Sequence, residues 1–490
     1  MAGFHIVKAL VAFAVLLLVA AACVSTSSNV DQSAATTTPS TPSTVGAPAA
    51  SVPTTRAVPA APAAPAEPAA AATVEPLATA SPAVAPTPQT AEVAPGVRTG
   101  AGVLIDQDLV PLHGRRVGLI AHRASMVDGR PVAAWIDDHP LVDLTALFAP
   151  EHGLYGQADA GISVSDITDP ITGAPVYSLY GTDRAPTAAA LADIDVLVYD
   201  LQDVGVRFYT YTSTLGLAMQ AAALADVEFM VLDRPDPIGG DELQGPALTP
   251  GLESFIGMYN VPSAYGLTAG ELAILIREQG WVPGVSDLEL TVVPMQNWQR
   301  TMRWTDTDLA WIPPSPNLPT ADSALVYPGT VLFEATSISE GRGTDEPFTL
   351  IGGHWIDAPA LANELNSRAL AGVSFEAAGF VPRSIPGAAE SPRFLGQELF
   401  GVRVQITDTS TVAGVEVGLS ILDAVLRQAE RSGLDTTSII DRPEVFDRLA
   451  GNSSVRSDLI AGVAVDEILQ SFAADHVAFA ELAAGVRLYD

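Results

Sequence analysis

The sequence predicts an α/β protein with a Rossmann-like open, mostly parallel sheet, a second α+β auxiliary domain and a disordered N-terminal tether. Three observations carry that reading. Short continuous apolar runs recur with helical stretches between them, and charged residues follow each run. Past residue 251 the pattern changes to longer helical stretches and proline-rich turns.

The four runs are Val117–Ala121, Leu144–Ala149, Asp195–Asp200 and Phe229–Leu232. Each is apolar along its length rather than alternating, as expected of parallel strands covered on both faces. Ser213–Ala225, rich in Ala, Leu and Met, suits a crossover helix. Strand, helix and strand repeated in this way give an open α/β sheet. No GxGxxG follows the first run, so the sheet carries no signature for a dinucleotide, and no cofactor is expected. Residues 98–250 are assigned to this domain and 251–490 to the auxiliary one. In the latter, Leu267–Glu278 reads as a helix, with Thr268 and Glu271 at capping-box spacing. Trp311–Asn317 is a stiff proline-rich loop, and Val331–Glu334 reads as a strand. A cleft between the two domains is the expected place for a small molecule.

The N-terminus speaks to address. Lys8 precedes an apolar run through Val15, Leu16, Leu17 and Leu18, too short for a confident span of about 20 residues and laid out like a secretory signal. Ala20, Ala21 and Ala22 before Cys23 resemble the lipobox of bacterial lipoproteins, although that family favours Leu where Ala20 stands. The resemblance implies lipidation of Cys23 and anchoring to the outer face of the membrane. Residues 24–97 are Ala, Pro, Thr and Ser with few aromatics, a composition that cannot offset its ordering entropy and so reads as a tether. A net charge of -32 argues against nucleic acid and anionic lipid as partners, which leaves the lipid as the sole membrane contact. One cysteine excludes a disulfide framework. Without HExxH or a carboxylate cluster at metal spacing, no metal is expected.

Ligands of open α/β sheets bind beyond the carboxyl ends of the strands. Here those ends run into His122-Arg123, then Pro150-Glu151-His152-Gly153, then Asp200, Gln202, Asp203 and Arg207, and finally Asp233-Arg234. Four charged strand ends in a row point to a site.

Taken together, several stretches resemble the NamZ-type exo-β-N-acetylmuramidases. They are Phe148–Leu154, Tyr180–Pro186, Asp195–Tyr211, Leu232–Gly240, Pro314–Thr320, Leu325–Gly329 and Ser339–Thr344. The resemblance implies release of terminal β-linked N-acetylmuramic acid from peptidoglycan fragments, in a cleft between a Rossmann-like and an auxiliary domain. It also implies that Glu151, in the Pro-Glu-His-Gly motif, is catalytic. Two positions depart from the family pattern: Tyr265-Gly266 stands where a His-Gly pair is usual, and His122–Ser125 replaces an Asn-Pro-Thr-Gly-like turn.

Glycoside cleavage needs an acid for the leaving oxygen and a group that stabilises an oxocarbenium-like transition state. Glu151 is the expected acid, because partial desolvation beside Phe148 and Pro150 favours the neutral carboxyl. Asp200, Asp203 and Glu340 are candidates for the second group, with the substrate's own 2-acetamido group as a further route. The lactyl carboxylate calls for an arginine fork, from Arg184, Arg207 or Arg342. Tyr209 and Tyr211 are candidates for stacking on sugar faces, and His152 and Asn317 for polar contacts. The competing class is a non-catalytic lipoprotein that binds muropeptides. An amidase or protease is disfavoured, since Ser315 and Ser339 lack a GxSxG context.

Overall fold

The computed structural model describes residues 96–156 and 167–490; Cys23 and the tether up to residue 95 lie outside the described residues, while Val97, placed at the end of the tether, is buried. The chain lays down strands β1 (Arg116–Ala121), β2 (Met126–Val127), β3 (Arg130–Pro131), β4 (Asp143–Ala149), β5 (Ile167–Thr168) and β6 (Pro175–Ser178). Next come β7 (Val196–Asp200), β8 (Glu228–Leu232), β9 (Leu290–Val293), β10 (Leu350–Gly353), β11 (Val373–Phe380) and β12 (Leu399–Ile406). Seven of them form one sheet in the order β5-β6-β4-β1-β7-β8-β9, parallel except at the short edge strand β5. All four sequence-predicted strands are in it. β1, β4, β7 and β8 are buried along nearly their whole length, as their unbroken apolar runs require.

From β1 the chain builds outward through β4 to β6, then returns to place β7 on the other side of β1. That reversal opens a crevice at the carboxyl ends of β1 and β7, where a doubly wound sheet takes its ligand. The Thr210–Ala225 helix crosses from β7 to β8 on the face that packs through Leu215, Met219 and Ala222.

Two expectations change. The sheet does not end at residue 250: β9 is its seventh strand, and the Ala269–Gln279 helix is the crossover that leads to it. This helix begins with the anticipated capping box, Glu271 N–H donating to Thr268 Oγ1 at 3.3 Å and Thr268 N–H to Glu271 Oε2 at 3.0 Å. Its amphipathic pattern was legible, but a sheet-covering helix and an auxiliary-domain helix share that pattern. Val331–Ala335 is also not a strand. It is a tight 3-10 turn that continues the Ala321–Thr330 helix, and a short buried apolar run does not by itself separate the two. The second half also holds an antiparallel sheet, β10-β12-β11, against which the Ala358–Ser367 helix packs, and the Gly414–Arg431 helix packs on that helix and on Ala321–Thr330.

Candidate active site

Glu151 owes its position to a chain reversal at the end of β4. Pro150 stops the strand, and Gly153 N–H donates back to the Pro150 carbonyl at 3.0 Å. His152 takes a φ of +72°, uncommon outside glycine, and Gly153 follows at +76°. The carboxylate then meets the first residue of the Thr210–Ala225 helix, where Thr210 Oγ1 donates to Glu151 Oε2 at 2.8 Å. The Tyr180 phenol also hydrogen-bonds Glu151, and burial followed by the charge of Glu151 pushes it up to about 12, which keeps it a donor. Tyr211 donates to the Pro314 carbonyl at 3.0 Å and so ties the helix start to the proline-rich loop.

These groups line a cleft of about 420 Å³, within the range of small-molecule sites. One wall comes from the sheet edge, with Glu151, His152, Tyr180, Arg184 and Tyr209. The other brings Tyr327, Glu334, Arg342 and one end of the Pro443–Ala450 helix with Arg448 and Leu449. Tyr209, Tyr211 and Tyr327 pack edge to face, and the Arg184 guanidinium lies 4.5 Å from the Phe255 ring centre. Burial first, then the charges of Glu334 and Glu151, hold the Tyr327 phenol protonated, so this ring lies in the field of both carboxylates. Two acids, aromatic faces and arginines are what acid-assisted cleavage of a charged sugar requires. A second hollow of about 400 Å³ shares Glu334 and Arg342 with the first and contains Glu340, Arg393 and Arg442.

The family described as exo-β-N-acetylmuramidase NamZ matches this chain twice, its N-terminal part over residues 117–322 and its C-terminal part over 325–489. The chain belongs to the NamZ family. It is 42% identical over 389 residues to the peptidoglycan β-N-acetylmuramidase NamZ of Bacillus subtilis (strain 168), covering 78% of this chain and 89% of that protein. Crystal structures of two DUF1343 family proteins from Bacteroides fragilis NCTC 9343 share the fold. They superpose with TM-scores of 0.71 and 0.64 at 34% and 29% identity, each over 80% of this chain and 99% of the other. The seam between the two NamZ parts falls in the Ala321–Thr330 helix, consistent with β9 belonging to the first part.

Of the residues singled out in the sequence, Glu151, His152, Arg184, Tyr209, Tyr211 and Arg342 line the cleft together. The others do not. Asp200 is fully buried and spent on Arg234, whose Nε and Nη2 reach its two oxygens at 2.6 and 3.0 Å. Asp203 is buried against Tyr265, whose hydroxyl donates to it, and burial pushes its carboxyl up to about 6. The Tyr265 departure from the family pattern is thus a core partner of Asp203. Arg207 is buried among backbone carbonyls. Asn317 braces its loop, donating to the Ala388 carbonyl at 2.7 Å. Glu340 lies in the second hollow, its carboxyl raised by burial, with Arg342 Nε 3.4 Å away. Strand-end position attracts charge for scaffolding as well as for function, and sequence alone does not separate these uses.

Sequence reasoning missed Tyr180, Thr210, Tyr327, Glu334 and Arg448 as cleft residues. The first four sit inside the stretches that carried the resemblance or in the run misread as a strand, so a signal existed. Arg448 gave none, since it reaches the cleft only through long-range packing. Among the described residues, Asp108, His113 and His139 offer metal-ligand chemistry, but their loops lie at the opposite strand ends and the two imidazoles stack at 4.8 Å.

Proposed function

We propose that this protein is an exo-acting glycoside hydrolase that releases terminal β-1,4-linked N-acetylmuramic acid from the non-reducing ends of peptidoglycan fragments. The observation that carries the reading is Glu151 at the cleft, held by Thr210 and Tyr180, in a chain that matches both parts of the NamZ family. Glu151 protonates the glycosidic oxygen as the bond to the anomeric carbon breaks. Glu334, from the opposite wall, is our choice for the second carboxylate in place of Asp200, Asp203 and Glu340. Tyr209 and Tyr327 supply apolar ring surface beside it.

The test is release of free N-acetylmuramic acid from the disaccharide MurNAc-GlcNAc by the full chain, with GlcNAc-MurNAc as the comparison. Release from the first alone supports the reading. Tight binding without release would instead favour a muropeptide-binding lipoprotein, and cleavage of internal bonds in long glycans would remove the exo assignment. Export and anchoring through Cys23 remain our proposal from the leader sequence. A Cys23→Ser variant that stays in the membrane fraction would overturn it.

A further inference from the structure

The four arginines at or behind the cleft are placed for different tasks. Arg342 is engaged by two acids, Glu334 at 2.6 Å and Glu340 at 3.4 Å. Arg207 has no acidic partner among the described residues. Its Nη groups donate to the carbonyls of Pro246 and Val261 at 2.8 Å, of Leu449 at 3.2 Å and of Ala450 at 2.8 Å, and burial draws its pKa down to about 9. Leu449 and Ala450 end the Pro443–Ala450 helix, so this guanidinium satisfies carbonyls that the helix itself leaves open. Gly451 follows with φ +78°, and a Cβ there would lie 2.2 Å from Arg207 Nη2. The helix end is therefore fixed against the sheet domain, and Arg448 is fixed with it.

Arg448 lines the cleft, is exposed, and makes no hydrogen bond or ion pair among the described residues. Its helix packs on the Val331–Ala335 turn that carries Glu334. Arg184 also lacks an ion pair among the described residues, but it lies over Phe255 and acts on Tyr180, on the wall that holds Glu151.

We infer that Arg448 is a specificity residue that reads the lactyl carboxylate of the substrate. The inference rests on the muramidase reading above. An acid must address the glycosidic oxygen on C1, whereas the lactyl ether springs from C3, on the far side of C2 and its acetamido group. With C1 at Glu151 the lactyl carboxylate is carried away from the acid, and of the three cleft arginines Arg448 alone has neither an acid nor a ring against it among the described residues, since Arg342 is paired with Glu334 and Arg184 lies over Phe255. A guanidinium with its donors unspent suits such a group, because it meets both carboxylate oxygens in one plane. The competing account is that Arg448 only complements the carbonyl end of its helix. That account predicts a small change in stability and no change in substrate choice.

The experiment uses the full chain and three substrates: 4-nitrophenyl β-N-acetylmuramide, its lactyl carboxamide, and 4-nitrophenyl β-N-acetylglucosaminide. Arg448→Gln is expected to lower kcat/KM on the muramide by roughly 10- to 100-fold, through KM, since that is the span of a hydrogen bond to a charged group. Its rates on the two uncharged substrates should stay at the wild-type level, and Arg448→Lys should recover part of the loss. An equal fall on all three substrates, or no fall on the muramide, would overturn the assignment. If Arg448→Gln fails to fold, the wild type still decides: equal kcat/KM on the muramide and its carboxamide would mean that no cation reads the carboxylate. A wild type inactive on every substrate would overturn the muramidase reading and this inference with it, whereas an active wild type and an unaffected variant would overturn the inference alone.

Discussion

Two layers of charge stand at the carboxyl edge of the main sheet, and they are built in opposite ways. In the inner layer Asp200 and Arg234 are 0% and 5% exposed and satisfy each other through two hydrogen bonds. Asp233 there accepts from Thr268, Gly270 and Tyr489. In the outer layer Glu151 meets a threonine and a tyrosine, while Arg184 and Arg448 have no acid to neutralise them among the described residues. The inner charges are consumed in holding loops together, whereas Arg184 and Arg448 in the outer layer stand without a counter-charge among the described residues. Charge at a strand end is thus informative only once its partners are known.

The largest contrast is expected from exchanging one carboxyl for an amide in each layer. Glu151→Gln should lower kcat by about 10³-fold, within the range for a positioned general acid, and leave the unfolding midpoint almost unchanged. Asp200→Asn should do the reverse. It leaves Arg234 buried without its counter-charge, at a cost of about 3–5 kcal/mol in urea unfolding, with kcat of the folded fraction close to the wild type. Loss of turnover in Asp200→Asn without loss of stability would break the comparison and return Asp200 to the reaction.

The inner layer also carries a pH signature. Burial raises Asp203 and Asp233 to about 6, against about 3.9 in an unfolded chain. Between these values the folded protein binds more protons than the unfolded one, so each group's contribution is complete below pH 4 and is lost as pH rises through 6. Asp203→Asn has nothing to ionise. It should therefore gain on the wild type by on the order of 2 kcal/mol between pH 4 and pH 6.5, read from urea midpoints at each pH. A constant difference across that range would mean that Asp203 titrates as an ordinary carboxylate.

The same contrast explains what was legible in the sequence. Unbroken apolar runs report burial on both faces, which is why β1, β4, β7 and β8 were found within a residue of their bounds. The capping box at Thr268 is a local signal and was read correctly. Partnership is not local. Asp200 finds Arg234 34 residues away, and Arg207 finds Leu449 at a separation of 242, so nothing near Asp200 or Arg207 in the sequence marks them as spent. Glu334 was missed because its run has the length and composition of a strand, and the 3-10 turn that aims it at the cleft follows from packing against the Pro443–Ala450 helix.

The smallest effect should come from the contact that joins Glu151 to the helix start. Thr210 Oγ1 is a donor at 2.8 Å, and Thr210→Val keeps the shape of the side chain while removing that donor. The carboxyl then retains Tyr180 but gains freedom to swing, and loss of one aligned hydrogen bond is worth about 1 kcal/mol. The expected outcome is a fall in kcat of roughly 5- to 10-fold with KM and the unfolding midpoint close to wild type. A change in KM alone would indicate that Thr210 serves the sugar rather than the acid. A fall as deep as that of Glu151→Gln would mean that the hydroxyl takes part in the proton transfer, and the outer layer would then hold one more reacting group than its carboxylates.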